Sequence, residues 1–220
     1  DGSVYQYPVR VTIPIMYGDG TAVSQMAAIG SLRAWQEANP DKALFPKTIY
    51  ENILRQMIYL YYPELAGKDA GQLDTEKVRI LLETAKLAGD ASGSKVVFDE
   101  SEDGGRGRVY NAADTRGFTG LSDYGLLTKN AEISLVELAG MMDVMTPVAI
   151  VDKYGYQMEQ FNDIYYPKGL LGVTSFGKEK ETAREFVAFA LSPKVQNGDL
   201  NDGFTVSKTA SGAWIERTSM

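Results

Sequence analysis

The side chains that most often carry catalysis are missing from this sequence, which has no cysteine and no histidine. Without cysteine there is no disulfide, thiolate nucleophile, zinc finger or iron–sulfur cluster. Without histidine there is no Ser-His-Asp triad, HExxH zinc site or imidazole base. What remains is chemistry on carboxylates, lysine and tyrosine, or a hard-cation site. The run Asp99-Glu100-Ser101-Glu102-Asp103-Gly104 is similar to the start of a calcium loop. Tyr110 stands at its twelfth position, where an EF-hand needs a bidentate Glu, and no helix pair flanks the run. A long surface loop fits it better. Ser175 has Lys178 nearby, but Ser-Lys catalysis is a matter of geometry, as is the separation of two carboxylates in a glycoside hydrolase. The sequence therefore predicts no enzyme, no metal and no cofactor, with a non-catalytic interaction module as an alternative and a carboxylate-based glycoside-acting enzyme as the lesser one.

The 22 Lys+Arg against 29 Asp+Glu leave a formal net charge of −7. The basic residues are scattered among acids, and one cluster, Arg106 and Arg108, sits in a glycine-rich stretch beside Asp99, Glu100, Glu102 and Asp103. A nucleic-acid partner needs a basic stripe, so none is expected. No run of 18 apolar residues exists to span a membrane. The chain opens Asp-Gly-Ser-Val-Tyr, without a start Met and without a signal peptide, which reads as a mature form or an excised piece. With 220 residues, 44% hydrophobic and 23% charged, the composition is that of an ordinary globular chain.

The elements that would position such groups alternate between strands and helices. Tyr5, Tyr7, Val9, Val11, Ile13 and Ile15 fall on odd positions, with Gln6, Arg10 and Thr12 between them. Period two predicts a half-buried strand. Pro8 and Pro14 remove ladder donors, so the strand is either an edge strand or one that changes sheets. Gly18-Asp19-Gly20 then turns the chain. Helices are expected over 31–39, over 49–62 with Thr48 as N-cap and Pro63 as stop, and over 75–88 with Asp74 as N-cap and Gly89 at the end. Residues 131–138 read as a strand. Residues 140–154 read as a helix kinked, or begun late, at Pro147, and 169–175 as a buried strand. The clearest helix is 179–191, with Ala183, Phe186, Val187, Ala190 and Leu191 on one face and Pro193 following. Interleaved strands and helices predict an α/β fold, three layers with a mixed sheet.

Two stretches resemble the extracellular solute-binding proteins of ABC importers, in the branch that mostly carries sugars. The opening Asp-Gly-Ser-Val-Tyr-Gln-Tyr-Pro-Val is similar to that family's "DGKVYALPV" crossing strand. The second runs from Leu171-Gly-Val-Thr-Ser-Phe-Gly-Lys through Phe186-Val-Ala-Phe-Ala-Leu-Ser-Pro-Lys-Val-Gln, and then Asp202-Gly-Phe-Thr-Val-Ser-Lys. It is similar to "lGIsakSKnkeeAweFikfllSpevQ … dGfPVnk". Thr205 replaces the proline of "GFPV", and the "SKN" loop reads Ser175-Phe-Gly-Lys. Residues 20–165 match loosely. Such receptors are close to twice this length.

The resemblance implies the periplasmic-binding-protein-like fold, two α/β lobes that close on a ligand. Residues 1–165 would be the second lobe, entered at the hinge, and 166–220 a return segment that normally packs on the first lobe. It implies an extracellular or cell-surface, lipid-anchored protein that binds a mono- or oligosaccharide and presents it to ABC permease subunits. Aromatic rings would stack on pyranose faces while carboxylates and amides bind hydroxyls, and 13 Tyr and 2 Trp are compatible with that. Tyr7, at the matched hinge, either lines the cleft or points into the sheet with Tyr5 and Val9. Tyr17 ends the first strand, where ligands often meet α/β sheets. Glu137 follows the strand at Ile133, where family members often contact ligand, and is otherwise a solvated carboxylate. Tyr165 and Tyr166 precede the matched return strand, and two adjacent residues of a strand cannot both face its core. Trp35 is expected in a core, and nothing marks Trp214 as part of a site. The apolar stripe of 179–191 is expected to be covered, either by repacking onto 1–165 or by a second copy in a homodimer.

Overall fold

A computed structural model describes residues 5–46, 48–66, 71–93, 122–198 and 202–207. Within them the chain is a mixed α/β protein. The strands are β1 (Tyr7–Gly18), β2 (Ile133–Leu138), β3 (Gln157–Gln160), β4 (Tyr166–Leu171) and β5 (Phe204–Thr205). The helices are α1 (Gly20–Gln25), α2 (Ile29–Ala38), α3 (Tyr50–Leu65), α4 (Thr75–Ala91), α5 (Ser122–Leu127), α6 (Met141–Tyr154), α7 (Lys180–Ala190) and α8 (Pro193–Gln196). None of the described helices is long and apolar enough to cross a membrane. The chain divides into two compact units. One, the helical unit, comprises Ile15–Val136 and Pro147–Ile164; the other, the strand unit, comprises Asp1–Pro14, Glu137–Thr146 and Tyr165–Met220.

β1 serves both units and changes partners along its length. Tyr7 to Thr12 pair antiparallel with β4, and Arg10 and Val11 pair with β5. Ile15 to Gly18 pair antiparallel with β3. Pro14, with no N–H to give, stands between the two pairings, so the strand is one that changes partners rather than an edge.

The helical unit is built around one apolar core. Met16, Val23, Met26, Leu32, Phe45, Ile53, Met57, Leu60, Tyr61, Leu81, Ile133 and Phe161 are among its buried members, and Trp35 packs against it. α4 packs against α2 and α3. Fully burying a side chain of this size contributes roughly 1.5–3 kcal/mol, so this cluster dominates the unit's stability. Tyr61 meets Phe161 edge-to-face at 5.2 Å, and its hydroxyl donates to the Met26 carbonyl at 2.9 Å. Burial holds that phenol well above its ordinary pKa, so it stays a neutral donor. Asp74 caps α4, accepting from the N–H groups of Glu76 and Lys77 at 3.1 and 3.2 Å.

Several expected boundaries move, for reasons of packing or register. Thr48 does not cap α3: its buried hydroxyl accepts from Asn52 Nδ2 at 3.0 Å, and Ile49 occupies the N-cap position without a side-chain bond. Pro63 does not stop α3, which runs on to Leu65. The lost donor falls in the last turn, and continuing the helix buries Leu65 in the core. Gly89 does not end α4, which continues to Ala91. A Cβ at Gly89 would lie 2.4 Å from Tyr50 Cε1, so the glycine lets the Tyr50 ring lie on the helix. The strand expected over 169–175 is shifted to Tyr166–Leu171, where its register ends with Leu171 opposite Tyr7.

Candidate functional site

The strand unit buries polar residues of β1. On β1, Arg10, Thr12 and Pro14 are buried, while Val9, Val11 and Ile13 are half-buried. The alternation expected from the sequence is present, but the covered face is the polar one. Two constructions follow from that reversal, one structural and one with the chemistry of a binding site.

The structural one gathers around Gln196, which is 2% exposed. Its Nε2 donates to the carbonyls of Ala190 at 2.8 Å and Val9 at 3.2 Å. Its Oε1 accepts from Thr205 Oγ1 at 2.8 Å and from the Val206 N–H at 3.2 Å. All four capacities of the amide are used, tying β1, the end of α7 and β5 together. Beside it, Gly203 has φ +141 and no room for a side chain, since a Cβ would lie 2.7 Å from that of Arg10. Arg10 Nη1 donates to the Val9 carbonyl at 2.6 Å. Asp202 Oδ1 lies 3.4 Å from Arg10 Nε, an ion pair without hydrogen-bond alignment. Gln196, Asp202 and Gly203 all lie in the stretch that carried the family resemblance. Their work here is architectural: they fasten the returning chain to β1.

The second construction joins three segments. The Thr12 hydroxyl donates to Glu137 Oε1. Thr12 is also the cross-strand partner of Tyr166. The end of β2, the middle of β1 and the start of β4 thus bring Glu137, Thr12 and Tyr166 together, with Tyr165 next along the chain. Glu137 is exposed, Tyr166 half-buried and Tyr165 54% exposed. A carboxylate offers about four acceptor positions, of which Thr12 uses one, so Glu137 can accept further hydroxyl donors. The exposed Tyr165 adds a ring face and a phenol.

The other candidates lie elsewhere. Tyr7 is exposed, but five residues from Thr12 along the strand, about 17 Å at strand spacing. Tyr17 is fully buried in the helical unit, paired with Met158 across β1 and β3, and presents no ring face to solvent. Ser175 and Lys178 are both exposed in the segment before α7. Arg106, Arg108, Trp214 and the acidic run 99–104 lie outside the described residues. Among the described residues, no group of three or more carboxylates is placed to hold a metal ion.

Thr12 was not singled out from the sequence. Its partner Glu137 is 125 positions away, and a threonine in an apolar strand carries no local signal. The buried four-bond role of Gln196 has no signature in composition or spacing.

The strand unit also turns large apolar groups outward. Phe176 is 94% and Phe186 59% exposed, with Phe189 and Leu170 about half exposed. Of the expected α7 stripe only Ala190 is buried; Ala183, Val187 and Leu191 are half-buried. Repacking within the chain therefore leaves Phe186 uncovered, contrary to the first of the two coverings expected.

No family model matches this chain, and no curated protein matches it. Among solved structures it is similar to iron-bound HitA from Pseudomonas aeruginosa, at 12% identity and TM-score 0.42, over 89% of this chain and 53% of that one. It is similar to the GacH receptor of Streptomyces glaucescens, solved unliganded and with acarbose, at 13% identity and TM-score 0.46, over 93% and 54%. It is also similar to a ferric binding protein from Campylobacter jejuni, at 13% identity and TM-score 0.43, over 96% and 62%. The chain thus spans between 53% and 62% of the length of these three structures.

Proposed function

We propose that this chain is part of a substrate-binding component of an ABC importer, one that holds a carbohydrate reversibly and delivers it to a membrane permease. The observation that carries the reading is the convergence of Glu137, Thr12 and Tyr166 in the strand unit, with the exposed Tyr165 next along the chain. Carboxylate and hydroxyl groups beside a tyrosine ring suit a ligand with many hydroxyls and an apolar ring face. The residue resemblance over 171–208 supports the same reading, as does the absence of cysteine and histidine, since binding by hydrogen bonds and stacking needs neither. On this reading residues 166–220 are the return segment of a two-lobed receptor. The outward Phe176, Phe186 and Phe189 belong to a surface completed by further polypeptide, and the protein works at the cell surface, held by a lipid anchor.

One site residue is withdrawn: with its ring fully buried, Tyr17 is left to the core of the helical unit. A second reading, a non-catalytic interaction module that pairs through residues 179–191, is favoured by the exposed Phe186 and Phe189 alone.

Isothermal titration with glucose, galactose, maltose and xylobiose separates the readings. Weak, reversible heat without a new product is expected, because a site contributed by one lobe forfeits the contacts of the other. Sugar cleavage would assign an enzyme instead. Silence toward every sugar, with a concentration-dependent dimer in light scattering, would favour the interaction module.

A further inference from the structure

The chain carries eight methionines, and three of them, Met141, Met142 and Met145, fall within five positions. Met142 and Met145 lie in the first turns of α6 and belong to the strand unit. They are 72% and 61% exposed, far more than the buried Met16, Met26 and Met57 of the helical core. Like Phe176 and Phe186 of the same unit, they turn outward, but they carry a donor atom that the phenylalanines lack.

Residues three apart on a helix are neighbours, with Cβ atoms about 5–6 Å apart. Methionine has three rotatable side-chain bonds and a polarizable sulfur, so two such side chains can bring their Sδ atoms together over one ion. Thioether sulfur selects soft cations, Cu(I) above all among biological metals, and does not hold Mg²⁺ or Ca²⁺. The surrounding charge permits a cation: Glu137–Thr146 contains Glu137 and Asp143 and no lysine or arginine. The positive end of the α6 dipole opposes a cation here. Asp143, one residue from Met142, offsets it while accepting the Ala139 N–H at 2.8 Å. The chain has neither cysteine nor histidine, so thioether is its only soft donor.

We propose that Met142 and Met145 form a surface site for a soft monovalent cation, Cu(I) or its redox-stable analogue Ag(I), bound through two thioether sulfurs. The site is independent of the carbohydrate reading. Its ligands are neutral, so binding displaces no proton and varies little with pH, unlike thiolate or imidazole sites.

The test is titration of the whole chain with silver nitrate in chloride-free buffer, followed by calorimetry and by the ¹³C-methyl signals of labelled methionine. One Ag(I) per chain is expected, with the Met142 and Met145 methyls shifting together while Met16, Met26 and Met57 stay unmoved. Met142→Leu with Met145→Leu conserves volume on an exposed helix face, so the fold is retained, as far-ultraviolet circular dichroism will check. The double variant is expected to lose affinity by roughly tenfold or more, as removal of both ligands requires. Met158→Leu, which alters a partly exposed methionine elsewhere, is expected to change nothing. Cu(I) competition against a chromophoric chelator should follow the same order. Silver binding that is unchanged in the double variant, or no shift of the two methyls at millimolar silver, overturns the proposal.

Discussion

The two units of this chain reach stability by opposite means. In the helical unit the apolar side chains are inside: Leu60, Met57, Tyr61 and Phe161 are all fully buried. Among the described residues of the strand unit, Arg10, Thr12 and Gln196 are buried beside the small apolar set Pro14, Leu138 and Ala190, while Phe176, Phe186 and Leu170 are exposed. Water-exclusion holds the first, while strand pairing and the four bonds of Gln196 hold the second. A net hydrogen bond contributes about 0.5–1.5 kcal/mol, against roughly 1.5–3 for a buried large apolar side chain, so the strand unit is the weaker of the two. Its outward phenylalanines leave apolar area in water that no described residue covers.

The largest effect that can break this contrast is a truncation in each unit. Phe161→Ala in the helical core should cost about 3–5 kcal/mol in urea unfolding. Phe186→Ala in the strand unit should stay within about 0.5 kcal/mol, as an exposed site does. Equal losses would mean that the α7 stripe is buried in solution. Next in size is Gln196→Leu. It strands the Val206 N–H and removes one donor from the Ala190 carbonyl, while the Val9 carbonyl keeps its bond from Arg10, for a loss of about 1–3 kcal/mol in the strand unit. Amide exchange of Val206 should accelerate while that of Leu60 holds. Acceleration throughout the chain would show one cooperative body instead.

How much of this was legible beforehand depends on the range of the interaction. Asp74 followed by a 17-residue helix is local information, and the sequence carries it. Pro63 and Gly89 misled because the deciding contacts, Leu65 in the core and Tyr50 on Gly89, come from tertiary packing that overrides a local breaker. On β1 the period of two was correctly read, but periodicity shows which face is apolar, not which face is covered. In the proposed site, Glu137 and Tyr166 carry a local signal, whereas Thr12, which joins them only in the fold, carries none.

Smaller effects come from titration in the helical unit. Asp19 caps α1, accepting from the N–H groups of Thr21 and Ala22 at 3.0 and 3.2 Å. The Thr21 hydroxyl bond, then these N–H groups, hold its carboxyl below its ordinary value against some burial. A depressed pKa gives stability above the unfolded value that is lost as pH falls through the folded one. Asp19→Ala should therefore cost about 1 kcal/mol at pH 7, and the difference should vanish in acid. Glu64 has the opposite sign. Burial raises its pKa, more than the Ile29 N–H and Lys77 lower it. Its charge is unfavourable above the folded pKa, and stability is recovered as pH falls toward the unfolded value. Glu64→Gln should add a few tenths of a kcal/mol at neutral pH, since the group is partly in water. A pH-independent difference between Glu64→Gln and the parent would contradict that assignment.

The most direct test of the functional reading is saturation-transfer NMR on the unmodified chain with the four sugars named above, repeated with Glu137→Ala, Tyr165→Ala and, in the helical unit, Tyr59→Ala. The account predicts transfer to sugar ring protons from the parent, retained in Tyr59→Ala. In Glu137→Ala and Tyr165→Ala it should be roughly tenfold weaker, as loss of a charge-assisted bond or a stacking ring implies. Transfer that survives both strand-unit substitutions, or appears with no sugar at all, would contradict a carbohydrate site at Glu137, Thr12 and Tyr165.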